Sequence, residues 1–318
     1  MTRMSNRTVT AAVALTLVLL LAPLAAGPRA DSSTLPSAVS ETTTEAYGLA
    51  WRSSYAPAMK EARQTGRPLL VVFYTTWCTF CPKMHHDTLE SPTLAPTLTK
   101  FVLAMVDAEA DLVAEKWFHP NGFPVVIVVD PQGQEIVRWR GYQPPQTFGP
   151  GLAAVSRDLP ELSRLLHASQ SGGGDARRDA LTELGDLLSR ANLHAQAQER
   201  YEAAVKKAAK KSAEREALLE KAASSALAAG NAGDAVRNYE RLLDEFPDGD
   251  RTADRLLGLG RALLADGKDA KARSVLGRIE SEHNGTPQAA EAGQLLSRPP
   301  EARPAADGPS TNATGTSK

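Results

Sequence analysis

The stretch FYTTWCTFCPKMHH, residues 73–86, carries both cysteines of the chain, three positions apart, with a tryptophan ahead of them and two histidines behind. Three chemistries use such a pair: a dithiol that exchanges disulfides, a metal clip, and a plain structural disulfide. The element presenting the pair helps to choose among them. Immediately upstream, PLLVVFY (68–74) is a β-rich apolar run, and residues 78–88 read as a helix. The pair is therefore expected at a strand-to-helix turn. With a helix starting at Cys78, the unpaired amides and positive dipole end stabilise a thiolate there. Cys81, one turn on, is placed to attack a mixed disulfide formed on Cys78. Pro82 falls in the first turn, where a missing N–H costs least. A bridge closing so short a loop removes little chain entropy, which weighs against a purely structural disulfide.

Outward from the pair, strand and helix patterns alternate. Helical spacing covers 56–64, strands are expected at 68–74, 100–106 and 125–129, and a further helix at 112–118. The turn DPQG (130–133) leads into an alternating strand at 135–140, the pattern of a hairpin. This succession defines an α/β domain, a central mixed sheet flanked by helices.

At SQSGGGD (169–175) the pattern changes, and from there to residue 297 strand signals vanish in favour of alanine, leucine and charges. An internal repeat emerges: Gly185, Ala197, Tyr201, Ala204 recur as Ala223, Ala235, Tyr239, Leu242 and as Gly260, Ala272, Leu276, Ile279. Small residues let paired helices approach, and the large one fills the groove between them. The second position recurs after 38 and then 37 residues, longer than the common period of about 34, so enlarged turns between repeats are expected. The plain alternative is an unrelated alanine-rich bundle. A last helix at 288–297 is placed to cap the stack.

With 318 residues the chain has room for about two domains. Its 42% hydrophobic and 23% charged residues are those of globular protein, and a formal net charge of −1 gives no reason to expect nucleic acid as a partner. The lysine cluster at 206–211 reads as a solvated helix face. Residues 1–26 read as an export signal, with Arg3 and Arg7 before an apolar run and LAA at 24–26; an uncleaved anchor is the alternative. The remainder is then expected outside the cytosol, in the periplasm or an equivalent compartment. Residues 27–45 suit a flexible spacer and 298–318 a disordered tail.

The segments WRSSYAPAMKEARQTGRPLLVVFYTTWCTFCPKM (51–84), VDAE (106–109), NGFPVVIVVDPQG (121–133) and WRGYQPPQTF (139–148) follow one another as in extracytoplasmic thioredoxin-like domains, which this part of the chain resembles. The resemblance covers about 47–166 and assigns a thioredoxin fold to 46–168, with 169–175 as a glycine-rich linker. It implies a redox-active disulfide between Cys78 and Cys81, a cis peptide before Pro124, and a substrate edge formed by Trp77, Phe123 and Pro124. The chain departs from the family at Val72, where thioredoxin carries a buried acid that acts on the second cysteine's proton. The repeats at 176–297, including AGNAGDAVRNYERLLDEFP (229–247), resemble tetratricopeptide repeats.

The two resemblances imply a protein thiol–disulfide oxidoreductase that needs no cofactor. Its partners would be a protein substrate with a thiol or disulfide, an upstream redox partner that recharges the pair, and a protein held by the repeats. Two further readings stay open. One is a scaffold in which the repeats bind partners and the thioredoxin-like domain is inert. The other is Cu(I) or Zn handling through Cys78, Cys81, Met84, His85 and His86, soft ligands within little more than two turns. Adjacent histidines on an α-helix point in different directions, so no metal is assigned. Trp117, Trp139 and Tyr142 read as core or hairpin packing.

Overall fold

The computed structural model describes residues 48–111 and 122–297. The expectations for 1–26, 27–45, the helix at 112–118 with Trp117, and 298–318 lie outside the described residues. No helix among the described residues is long and apolar enough to cross a membrane.

The first part is a five-stranded sheet in the order β1-β3-β2-β4-β5, formed by β1 (Trp51–Arg52), β2 (Leu69–Tyr74), β3 (Val102–Asp107), β4 (Val125–Val129) and β5 (Glu135–Arg140). β3 runs parallel to β1 and β2, while β2–β4 and β4–β5 are antiparallel, so the sheet is mixed as expected. β2 and β4 are apolar at every position because both faces of the sheet are covered. Leu69, Val71, Phe73, Val102, Val125 and Ile127 pack with Ala58, Met59 and Ala62 of helix α1 (Tyr55–Thr65). The alternate residues Leu70, Val72, Leu103, Val126 and Val128 face the other way. There they meet Met84, Leu89, α3 (Ala95–Leu98) and α4 (Pro145–Ser171).

The helix after the cysteines departs from expectation. α2 (Phe80–Lys83) starts two residues beyond Cys78 and passes at once into a π-helical segment, Met84–Leu89. Its bond from the Glu90 N–H to the His85 carbonyl (3.1 Å) spans five residues instead of four.

The second part is an array of helices: α5 (Gly174–Arg190), α6 (His194–Val205), α7 (Ala213–Ala228), α8 (Ala232–Glu245), α9 (Thr252–Ala265), α10 (Asp269–Glu282) and α11 (Pro287–Ser297), each packed on the next. The small-large repeat has a direct meaning here. A Cβ at Gly185 would lie 2.5 Å from the Tyr201 ring, and one at Gly260 would lie 2.4 Å from Leu276. The lysine cluster is not on a helix face. α6 ends at Val205, and Lys206, Lys207, Lys210 and Lys211 are exposed in the long turn before α7.

The glycine stretch is shorter as a joint than expected. Residues 169–171 are the last turn of α4, and only Gly172 and Gly173 separate it from α5. The apolar core runs without a break from the sheet, through Phe148, Leu152 and Leu166 of α4, into Leu184, Leu188 and Tyr201 of the array. The edge of β5 is also closed by a side chain. Gln196 of α6 donates to the Arg138 carbonyl (2.9 Å) and accepts from the Arg138 N–H (3.2 Å), as a neighbouring strand would.

Candidate redox site

β2 delivers the chain to the turn at 75–79, and Cys78 and Cys81 are joined there by a disulfide with Cα atoms 5.5 Å apart. Cys78 stands ahead of the helix, not in it: Thr79 is the N-cap, and the Cys78 N–H donates to the Thr75 carbonyl (3.3 Å). The Cys81 N–H donates in turn to the Cys78 carbonyl (3.3 Å). The first cysteine therefore meets the positive end of the helical segment from outside it, where a thiolate is still favoured by the dipole. Both cysteines are nearly buried, at 7% and 9% exposure.

Trp77 and Phe80, which flank Cys78, are the two large apolar side chains that stand out to solvent among the described residues, at 67% and 56% exposure. Water-exposed rings on either side of a buried disulfide form an apolar rim with the reactive bond at its centre. The second wall is the loop before β4. The Phe123–Pro124 peptide is cis, as expected, and the Phe123 ring meets Trp77 edge-to-face at 5.7 Å. All five residues read from the sequence as the site, Cys78, Cys81, Trp77, Phe123 and Pro124, lie in these two adjoining segments.

A sixth residue was not singled out in the sequence. Glu109, just beyond β3, accepts from the Trp77 indole N–H (3.1 Å) and from the Thr76 hydroxyl (3.0 Å) and N–H (3.4 Å). The signal was present in VDAE, which belongs to the resemblance, but nothing in that segment tells which chain it touches. Glu109 fixes the loop that carries Cys78 and the orientation of its neighbouring ring. We expect Glu109→Ala to slow disulfide exchange with a protein substrate roughly threefold to tenfold while leaving global stability within about 0.5 kcal/mol, as for other exposed positions. The Trp77 indole proton resonance reports the loop directly. An unmoved resonance with unchanged exchange would remove Glu109 from this role.

Val72 is 3% exposed in the core beside Met84, so the site of thioredoxin's buried acid is apolar. Among the described residues the one buried carboxylate is Asp130, which accepts from the Gln132 and Gln134 N–H groups (both 2.9 Å) and from the Ser163 hydroxyl (2.8 Å). It terminates β4 at the end away from Pro124, about 17–20 Å along the strand, and cannot serve Cys81.

Beyond the cysteines the proposed metal ligands divide. Met84 is fully buried in the core, and the cysteines are bonded to each other, which dissolves the soft set. His85 is partly buried, and that burial lowers its pKa, Glu90 opposing and His86 assisting the shift. Of the aromatic residues read as packing, Trp139 is buried edge-to-face with Phe148 at 5.0 Å. Tyr142 packs against the same core and also borders the redox helix, its hydroxyl donating to Asp87 (3.2 Å) and its ring beneath the Lys83 ammonium at 4.7 Å.

A mixed sheet, a disulfide at the strand-to-helix turn and a cis-proline loop against Trp77 are the features of a thioredoxin-like domain. Residues 55–156 match the thioredoxin-like domain family, and 226–298 match the tetratricopeptide repeat. Residues 55–156 thus form a thioredoxin-like domain, and the helices of 226–298 are tetratricopeptide-like. The chain is 31% identical over 144 residues to a thiol:disulfide interchange protein DsbD of Ralstonia nicotianae, covering 44% of this chain and 23% of the relative. It is 28% identical over 115 residues to a TxlA homologue of Synechocystis, also named a thiol:disulfide interchange protein, covering 36% and 64%. Among solved structures, a DsbH oxidoreductase is 25% identical, with a TM-score of 0.29, covering 36% of this chain and 85% of that one. The chain thus spans less than two thirds of the curated relatives named here.

Proposed function

We propose that this chain is an exported protein thiol–disulfide oxidoreductase whose helical array holds a protein partner or substrate near the redox pair. The observation that carries the reading is the Cys78–Cys81 disulfide, buried between exposed Trp77 and Phe80 and faced by Phe123–Pro124. In the reducing direction the Cys78 thiolate attacks one sulfur of a substrate disulfide, forming a mixed disulfide and releasing the other substrate sulfur as a thiolate. Cys81 then attacks Cys78, releasing the second substrate thiolate and closing the internal disulfide. Two electrons have passed to the substrate, and an upstream dithiol partner restores the pair. The oxidising direction is the same path reversed. Export rests on residues 1–26, and a partner role for the array rests on its stacked repeats, whose continuous surfaces suit protein binding. Tethering a partner there raises its effective concentration at the disulfide without any new contact at the site.

The apolar Val72 favours a second reading, an inert thioredoxin-like domain on a binding scaffold. One titration separates the two. The soluble chain is equilibrated in graded glutathione redox buffers, and free thiols are counted by alkylation and mass. Ready exchange with a defined midpoint is expected. A pair locked in one state for hours across the series would leave the scaffold.

A further inference from the structure

We propose that His85, His86 and Glu90 form a divalent-cation site of the Zn²⁺ type on the helix that carries the redox pair. The donor atoms of the three residues all lie within 4.8 Å of one another. His86 Nδ1 is 3.1 Å from one Glu90 carboxylate oxygen, and His85 Nδ1 is 3.6 Å from the other. Two ligands on a tetrahedral Zn²⁺, each about 2.0–2.1 Å from the metal, stand about 3.3 Å apart. The two histidine–carboxylate separations are thus close to those a metal would impose.

The π-helical segment produces this convergence. On an α-helix, neighbouring side chains diverge by about 100° and only one of the two histidines would face Glu90. Here the Glu90 N–H donates to the His85 carbonyl, so Glu90 lies over His85 five residues back as well as beside His86 four back. The two rings meet edge-to-face with centroids 5.1 Å apart. The segment is fixed from outside: the buried Thr88 hydroxyl donates to the Gln143 carbonyl (2.6 Å), and Asp87 accepts from Tyr142 (3.2 Å). Such support keeps ligands in place before a metal arrives.

The donor set selects the cation. Two imidazoles and a carboxylate suit Zn²⁺ and its first-row neighbours; they are too rich in nitrogen for Mg²⁺ or Ca²⁺ and lack the sulfur preferred by Cu(I). Three protein ligands leave a fourth position for water or an incoming group. Glu90 and His85 have side chains only 12% exposed, whereas His86 is 52% exposed, so the open side is toward solvent.

The test uses the full soluble chain without an affinity tag and with the disulfide closed, so that neither cysteine can ligate. Zn²⁺ is titrated against a chromophoric chelator. One Zn²⁺ per chain is expected, weakened at least tenfold by His86→Ala and by the isosteric Glu90→Gln, and unchanged by His283→Ala. X-ray absorption of the loaded protein should show nitrogen and oxygen ligands at about 2.0–2.1 Å and no sulfur. Absence of stoichiometric binding, equal affinity in the His86 and Glu90 variants, or sulfur in the metal's shell would overturn the proposal and leave a plain hydrogen-bonded His–Glu cluster.

Discussion

Cys81→Ser is expected to turn the domain from a catalyst into a trap. With Cys78 alone, attack on a protein disulfide still forms the mixed disulfide, but no second thiol remains to release it. Covalent adducts should accumulate on non-reducing gels and disappear on adding excess small thiol, while turnover falls by roughly a thousandfold, as when a member of a concerted catalytic group is removed. Cys78→Ser should give neither turnover nor adducts, because Cys81 lies inside the helix, away from its positive end, and has no carboxylate at Val72 to take its proton. The rim sets which disulfides are trapped. Phe80→Ser should reduce adduct yield with folded or apolar substrates more than with glutathione, since a small thiol makes no use of the exposed rings. Trapping by Cys78→Ser would reverse the order of the two sulfurs. Trapping by neither variant would favour the scaffold.

The parts of the candidate redox site are legible because they are local in sequence. W-C-x-x-C follows a β-rich apolar run, which the fold covers on both faces, and G-F-P precedes another. Sequence could not reveal what depends on long-range contact. Glu109 is an unremarkable carboxylate until β3 brings it beside Thr76 and Trp77. The π turn has no composition signature, and it decides whether His85 and His86 diverge or meet. α4 is hidden by Pro150 and Pro160, which interrupt its helical pattern although the helix runs unbroken from Pro145 to Ser171. Residues 169–175 read as a glycine-rich linker, whereas the core passes straight from α4 to α5 on either side of it. Gln196 shows why: a polar residue of the repeats completes the edge of a strand in the sheet, and no periodicity announces such a bond.

Gly185→Ala should destabilise the protein, against the usual rule for helix interiors. On propensity alone, alanine gains about 1 kcal/mol over glycine within a helix. Here a Cβ would sit 2.5, 2.8 and 2.9 Å from three atoms of the Tyr201 ring. The ring cannot easily yield: Tyr201 is 3% exposed, and its hydroxyl donates to Asp186 (2.7 Å), which also accepts from Lys221 (2.6 Å). Overpacking costs about 1–3 kcal/mol, and three contacts this short place it at the upper end, for a net loss of about 2 kcal/mol. Gly277 in α10 has nothing within 4 Å of an added Cβ. Gly277→Ala should therefore stabilise by about 0.5–1 kcal/mol, the opposite sign from the same substitution. Denaturant midpoints measure both. Because the Gly185–Tyr201 contact belongs to the same core as Trp139 and Phe148, the near-ultraviolet signal of Trp139 should shift with the helical signal. A Gly185→Ala protein at least as stable as the parent would mean that the small residues of the repeat do not set the spacing of its helices.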